Sequence, residues 1–378
     1  MTLETLRVGL VGCGNVAVGS HLPAYLELAP AALLAAVADP TPDRRELGRT
    51  AAGLTVADAH ADALELIARP DIDMVDLCTP QHLRRDLAVA AAEAGKHILS
   101  EKPLATTPAD AQAMVDAARA NGVRLGIVHN YLFFAEVRRT LELIAAGEVG
   151  PVEVAILDWL SCSDNPGAAA YRPRWRHDPT QAGGGVLMDM LHIVYLAEAF
   201  LGRPIERVSA WVDARSQDAP VEDLAIARFE TDRNVALVNV GWGRGPGGYA
   251  VSGAAGRIEV TYRDGGSGAF EPFERLEVHG ASGHFTETSL PAGESIRSLI
   301  GDFVAAVSEG RDPIAPGEQG RHILDATLAV YASAATGRTV ELPFAADHPM
   351  YDLGVGGLGA LDLDPTSRIV RQRIFGVS

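Results

Sequence analysis

The sequence predicts two domains: an α/β domain with a parallel sheet, then an α+β domain with a large, mainly antiparallel open sheet. Three observations carry this. The chain has 378 residues, more than one core usually serves. Its first part alternates short apolar runs with helical stretches of about 10–15 residues, the mark of βαβ units. After about residue 130, strand-like runs follow one another, most of them separated by turn residues.

In order, "LRVGLVG" is a buried strand and "GNVAVGSHLPAYLEL" a helix. "ALLAAVADP" is a second strand, followed by the helical stretches "PDRRELGRTAA" and "DALELIARPD". "DMVDLCTP", "HILSEKP" and "RLGIVHN" are further strands, separated by the helices "HLRRDLAVAAAEAG" and "PADAQAMVDAARANG". The later strands are "GPVEVAILDWLS", "IERVSAWVDAR", "DLAIARFE", "NVALVNVGW", "YAVSGAAG" and "RIEVTYR". Helices are expected at about 184–201 and 293–310, with a third at "GRHILDATLAVYASAATG". The expected domains are 1–129, 130–344 and a Gly-rich tail at 345–378. The alternation in "SRIVRQRIFGVS" suits a strand, packed on its own subunit or on a neighbour's.

Composition narrows the function. Hydrophobic residues make up 47% and charged residues 21%, values of a globular protein with a real core. The net charge of −17 opposes binding to nucleic acid or to anionic membranes. Cys13, Cys78 and Cys162 are scattered and odd in number, so neither a disulfide framework nor a metal site is expected. The opening "MTLETLRVGLVGCGN" lacks the layout of a signal peptide, and the longest apolar stretch contains Asp189, His192 and Glu198. The expectation is a cytoplasmic protein.

"GLVGCGNVA" places Gly12, Gly14 and Ala17 in a G-x-G-x-x-A pattern between a strand and a helix. The glycines admit a pyrophosphate to the backbone, and the helix start at Asn15 and Val16 offers N–H groups and a positive dipole end. Asp39 ends the second strand, where a carboxylate accepts hydrogen bonds from ribose hydroxyls. It repels a 2′-phosphate, which favours NAD. Arg44 and Arg45 lie near enough to keep NADP open.

Only two of the 32 Lys and Arg residues are lysines, Lys96 and Lys102. Arginine cannot exchange a proton at useful pH, whereas lysine can. Lys102 follows a strand at the carboxyl edge of the predicted parallel sheet, where ligands bind in open α/β folds. Lys96 precedes the same strand in a turn, a structural position.

With these residues in place, the chain resembles the glucose–fructose oxidoreductase, inositol dehydrogenase and rhizopine-catabolism (Gfo/Idh/MocA) family over about residues 5–344. The resemblance rests on "GLVGCGNVA", "AGKHILSEKPLA", "HNYLFFAEVRRTLELIAAGEVGPV", "WRHDPTQAGGGVLMDMLH", "VSGAAGRIEV" and "YASAATGRTVELP". It implies a Rossmann domain, a second domain with a large open sheet, and hydride transfer between NAD(P) and a hydroxyl or keto carbon of a sugar, amino sugar or cyclitol. It places the family's lysine on Lys102, its aspartate on Asp189 and its histidine on His192. The histidine then exchanges the substrate proton, lysine polarises the oxygen and the aspartate supports the network. Thr79, Pro80, Glu101 and Asn130 match positions that line the cofactor cleft. A homodimer or homotetramer is implied as well.

Two departures stand out. The family usually has histidine four residues after the aspartate, and "DMLH" makes it three, a rotation of about 100° on a helix. A local irregularity restores the geometry, or Tyr195 supplies the hydroxyl. Arg84 stands where a histidine is often found, with His82 nearby. Just before the glycine run, Arg174, Trp175 and Arg176 are substrate candidates, since arginine suits an anionic group and tryptophan a sugar-ring face. Two other functions share this fold: tightly held NAD used for sugar cleavage or epimerisation without net redox change, and a nucleotide-sensing regulator without catalysis.

Overall fold

Two compact units emerge from the chain's contacts: Met1–Phe133 with Glu294–Arg321, and Phe134–Gly293 with His322–Ser378. The computed structural model describes residues 5–162, 177–215, 220–243, 247–263, 273–291 and 295–378, leaving aside the side chains of 161 and 162.

The first unit contains a parallel sheet of β1 (Leu6–Val11), β2 (Ala32–Ala38), β3 (Ala59–His60), β4 (Met74–Leu77), β5 (His97–Ser100) and β6 (Leu125–Ile127). The order is β3-β2-β1-β4-β5-β6, so the direction of winding reverses between β1 and β4. Ligands bind outside the carboxyl ends of the strands at such a reversal. β1 and β4 read as apolar runs because helices cover both faces of a parallel sheet. The connecting helices are α1 (Leu22–Leu28), α2 (Pro42–Ala51), α3 (Ala63–Ile67), α4 (Arg84–Glu93) and α5 (Pro108–Ala120). The chain leading into α1 is helical at Asn15 and Val16, then makes a π turn over Ala17–His21.

A later helix, α10 (Ser295–Glu309), returns to this unit. Its Leu299, Ile300, Phe303 and Val304 join Val8, Tyr25, Met74 and Leu99 in one buried cluster. Gly126 in β6 makes room for it, since a Cβ there would lie 2.6 Å from the Phe303 ring.

The second unit has a sheet in the order β14-β13-β12-β11-β7-β10-β9-β8-β15. Its strands are β7 (Val152–Cys162), β8 (Arg207–Asp213), β9 (Leu224–Glu230), β10 (Val235–Trp242), β11 (Gly247–Gly253), β12 (Gly256–Tyr262), β13 (Phe273–Gly280), β14 (Gly283–Glu287) and β15 (Val340–Glu341). β7 and β10 pair in parallel and the other neighbours antiparallel. Its helices are α6 (Ala135–Ala145), α7 (Pro179–Ala182), α8 (Val186–Asp189) and α9 (His192–Leu201). α9 packs on β7 and β10. Trp211, Ile226 and Leu237 are exposed on one face of the sheet, where Trp211 pairs directly with Ile226.

The structure corrects three expectations. The hairpin β13–β14 extends the sheet beyond "RIEVTYR"; its sequence is largely charged and buries only Leu276 and Val278 fully. The helix expected over 184–201 is broken between α8 and α9, and the two apolar pieces meet at a 50° bend. No single helix among the described residues is long and apolar enough to cross a membrane.

The tail forms helical turns rather than a strand: α12 (Pro349–Leu353), a 3₁₀ turn over Gly354–Ala360, α13 (Arg368–Arg371) and a 3₁₀ turn over Ile374–Gly376, with α11 (Gly317–Thr336) before it. It packs on its own chain. Arg368 binds Asp213 at 3.0 Å, and Ile369 and Ile374 are fully buried.

Gly126→Ala should lower stability by about 1–3 kcal/mol, because the Phe303 ring sits in a filled core and must move. Chemical denaturation of the whole chain measures this, and an unchanged midpoint would refute it.

Candidate active site

The first unit brings together the residues expected to hold a dinucleotide. β1 ends in a turn at Gly12, whose φ is +91°. A Cβ at Gly12 would lie 2.7 Å from the Cys78 carbonyl, so only glycine fits. Gly14 differs, because a Cβ there would meet nothing within 4 Å. The open space at Gly14 lies at the start of the helical segment that carries Asn15 and the half-exposed Val16. Asp39 is fixed beside this turn, where its Oδ2 accepts the Cys13 N–H at 2.8 Å and its Oδ1 the Thr41 N–H at 2.8 Å. Arg45 donates to the Asp39 carbonyl at 2.7 Å, and Arg44 to Asn15 Oδ1 at 3.1 Å.

Thr79 and Pro80 follow β4, and Pro80 leads into a 3₁₀ turn at Gln81–Leu83. Thr79 Oγ1 is buried without a hydrogen-bond partner. A buried hydroxyl with no partner and a glycine turn with unfilled space are what a dinucleotide would complete, so these residues fit one.

Glu101 and Lys102 follow β5. The Glu101 side chain is buried between two donors: Oε1 lies 3.1 Å from His21 Nε2, and Oε2 accepts the Lys102 backbone N–H at 3.0 Å. Arg84 staples the neighbouring turns. It donates to the Thr79 carbonyl at 2.9 and 2.6 Å, to the Glu101 carbonyl at 2.6 Å and to the Pro103 carbonyl. Arg84 therefore ties the Thr79 loop to the Lys102 turn.

Beneath this turn lies a group of residues that no sequence motif marks. His21 Nδ1 is 2.7 Å from Asp76 Oδ2, and both side chains are fully buried. The Tyr25 hydroxyl donates to the same oxygen at 2.9 Å. Burial opposes charge on His21, but the Asp76 carboxylate outweighs it and holds the imidazole well above its usual range. Burial also works against a charged Glu101, yet the His21 bond and charge, with Lys102 and Arg84, keep it below the usual carboxylate range. The sequence signal was available: an acid inside the apolar strand "MVDL", and His21 and Tyr25 one helical turn apart.

Lys96 takes the structural role expected of it. Its Nζ donates to the carbonyls of Ile72 at 2.7 Å and Arg69 at 3.0 Å. Asn130 is buried and donates to Ser295 Oγ at 3.2 Å. Next to it, burial pushes His129 down to about 3, and the Lys102 charge acts in the same direction.

Asp189, His192 and Tyr195 belong to the second unit. Asp189 is the last residue of α8 and His192 the first of α9. The break at Met190 and Leu191 means that the two residues do not share one continuous helix. His192 Nδ1 lies 2.6 Å from the Tyr195 hydroxyl, so the two candidates for proton exchange form a bonded pair. Arg174, Trp175 and Arg176 lie outside the described residues.

The glycine run ahead of α8 is gripped by Glu222, a second residue missed in the sequence. Its Oε2 accepts the Gly185 N–H and its Oε1 the Leu187 N–H, each at 2.9 Å. The Tyr331 hydroxyl donates to Oε1 at 2.9 Å. A Cβ on Gly184 would collide with the Tyr331 hydroxyl, and one on Gly185 with the Glu222 carbonyl. The glycines are thus required by this clamp. Full burial pushes the Glu222 carboxyl up to about 7, although its hydrogen-bond donors favour the ionised form.

Residues 6–129 match the model of the oxidoreductase family with the NAD-binding Rossmann fold, and residues 137–286 match the GFO/IDH/MocA C-terminal domain. Levoglucosan dehydrogenase of Pseudarthrobacter phenanthrenivorans is 29% identical over 308 residues, 74% of this chain and 73% of that protein. The 1,5-anhydro-D-fructose reductase of Ensifer adhaerens is 30% identical over 296 residues, 74% of this chain and 82% of its own. A solved structure of levoglucosan dehydrogenase in complex with NADH aligns with a TM-score of 0.78 at 25% identity. It covers 90% of this chain and all of its own.

Glu222 sets a pH dependence. Its value in the fold, about 7, lies above its ordinary 4.5, so its stabilising contribution is complete below pH 4.5 and lost as pH rises through 7. Relative to Glu222→Gln, the wild type should lose up to about 1.4 kcal/mol per pH unit within that window. Unfolding curves across the window test this, and parallel pH profiles for the two proteins would refute it.

Proposed function

We propose, from the premise that the chain belongs to the Gfo/Idh/MocA oxidoreductase family, that it is an NAD-dependent dehydrogenase or reductase acting on a hydroxyl or keto carbon of a sugar or cyclitol. The relatives named as sugar oxidoreductases support the substrate class. The observation that carries the reading is the Lys102 turn. Its backbone is bonded by buried Glu101 and its flanks are stapled by Arg84, in the same unit as the open glycine turn.

Bound NAD would supply the hydride acceptor or donor. Gly12, Gly14, Asn15, Val16, Thr79, Pro80 and Asn130 would hold it. Asp39 would meet the ribose and favours NAD over NADP, because a carboxylate repels a 2′-phosphate. Lys102 Nζ would stabilise negative charge on the substrate oxygen. His192, bonded to Tyr195 through Nδ1, would move the proton of the reacting hydroxyl. Asp189 would support that proton's site. A cytoplasmic location, where nicotinamide dinucleotides are supplied, belongs to the same reading.

So does a homodimer or homotetramer. Trp211, Ile226 and Leu237 give the sheet face an exposed apolar row that a second copy would cover. Trp211→Glu should shift the assembly to smaller species in light scattering. An unchanged mass would remove this face from the interface.

The function is tested by reduced-nicotinamide absorbance with NAD or NADP and a panel of sugars, amino sugars and inositols. Lys102→Ala should lower turnover by at least about 10²-fold while NAD affinity stays near wild type. Full activity in that variant would overturn the role of Lys102. NADP reduction in preference to NAD would overturn that of Asp39.

A further inference from the structure

The tail lies beyond both family-matched stretches, and the proposed chemistry gives it no role. Its last residues nevertheless reach the clamp on the glycine run. Gln372 pairs with the end of β8 in both directions: Oε1 accepts the Ala214 N–H at 3.2 Å, and Nε2 donates to the Ala214 carbonyl at 2.8 Å. The Phe375 N–H donates to the Pro220 carbonyl at 3.0 Å. The Phe375 ring meets Tyr331 edge-on, with centroids 4.9 Å apart and planes at 72°.

Pro220 and Tyr331 are the two flanks of Glu222. Pro220 is two residues before it in the chain, and Tyr331 donates to its carboxylate. Glu222 in turn holds the N–H groups of Gly185 and Leu187, and its carbonyl accepts the Val186 N–H at 3.1 Å. These three residues begin α8, which ends at Asp189, and the Asp189 N–H bonds back to Gly185 at 3.0 Å. A continuous path of contacts thus runs from Phe375 through Tyr331 and Glu222 to Asp189.

The chain also takes up an unfavourable backbone to make this contact. Phe375 has φ +59° and Arg373 φ +53°, both in the left-handed region that non-glycine residues seldom adopt.

We propose that residues 367–378 are a strut that braces the Tyr331–Glu222 clamp and thereby positions Asp189 and the start of α9. Phe375 is a positioning residue, acting through Tyr331 rather than by touching substrate. The proposal deepens the dehydrogenase reading, on which the role of Asp189 rests.

Three proteins test it: wild type, Phe375→Ala and Phe375→Tyr, which keeps the ring. Hydrogen exchange read by mass spectrometry follows peptides covering 183–190 and, as an internal reference, β1 and β4. Phe375→Ala should speed exchange at 183–190 about tenfold and leave β1 and β4 unchanged. Phe375→Tyr should stay near wild type. Once a substrate is found, Phe375→Ala should lower kcat about tenfold with KM for the dinucleotide unchanged. Wild-type exchange at 183–190 in Phe375→Ala would overturn the strut, as would an equal rise in every peptide. Faster local exchange in a protein whose wild type reduces no cofactor with any sugar would uphold the strut and count against the dehydrogenase reading instead.

Discussion

A carboxylate inside a parallel sheet has no water to answer its charge, and the side of the first unit that carries Lys102 is arranged around that constraint. Asp76 is fully buried in β4. An unanswered charge there would cost several kcal/mol, so a cation and further donors must reach it. His21 and Tyr25 do so from the π turn and from α1. His21 has a second ring nitrogen, and it faces Glu101, whose other oxygen holds the Lys102 backbone. One buried negative charge thus fixes a histidine, a second carboxylate and the turn that carries Lys102. Pi turns recur at functional sites, and this one bears the histidine that bonds both Asp76 and the Glu101 carboxylate beside Lys102.

The second unit answers a buried carboxylate differently. Among the described residues no cation bonds the Glu222 carboxylate; its donors include two backbone N–H groups and a phenol. Neutral donors compensate less than an ion pair does, and the two groups shift in opposite directions. Glu101, beside His21, Lys102 and Arg84, stays below its usual range, while Glu222 rises to about 7. The first arrangement keeps its charge at physiological pH. The second is poised to titrate there.

Most of the fold was legible because periodicity reports burial. Five of the six parallel strands and the helices between them follow from alternating apolar runs and helical stretches, whereas the two-residue β3 is too short to carry any periodicity. The glycine turn and the Lys102 edge were legible because their chemistry is local in the sequence. Asp76 and Glu222 were not, since the partners lie far off in the chain: His21 is 55 and Tyr25 51 residues from Asp76, and Tyr331 is 109 from Glu222. The break between α8 and α9 was hidden for another reason: "VLMDMLHIVYLAEAF" is apolar nearly throughout, so a bent path and a straight one have the same pattern. The tail misled in the opposite way. Its alternation suits a strand, but one row of apolar side chains packs equally well from short helical turns, as Ile369 and Ile374 do.

The scarcity of lysine has a practical side. Lys96 is almost wholly enclosed and spends its ammonium on two carbonyls, whereas Lys102 is half-buried. The side-chain amines of this protein therefore amount to one enclosed group and one at the proposed reaction centre. Reagents that acylate or reductively alkylate amines need the neutral, accessible form, and most proteins offer them a scatter of surface lysines. Among the described side chains, Lys102 is the less enclosed of the two amines. Amine coupling to a resin, a dye or a cross-linker, usually a neutral handling step, would on this protein be directed at the turn after β5 rather than scattered over the surface.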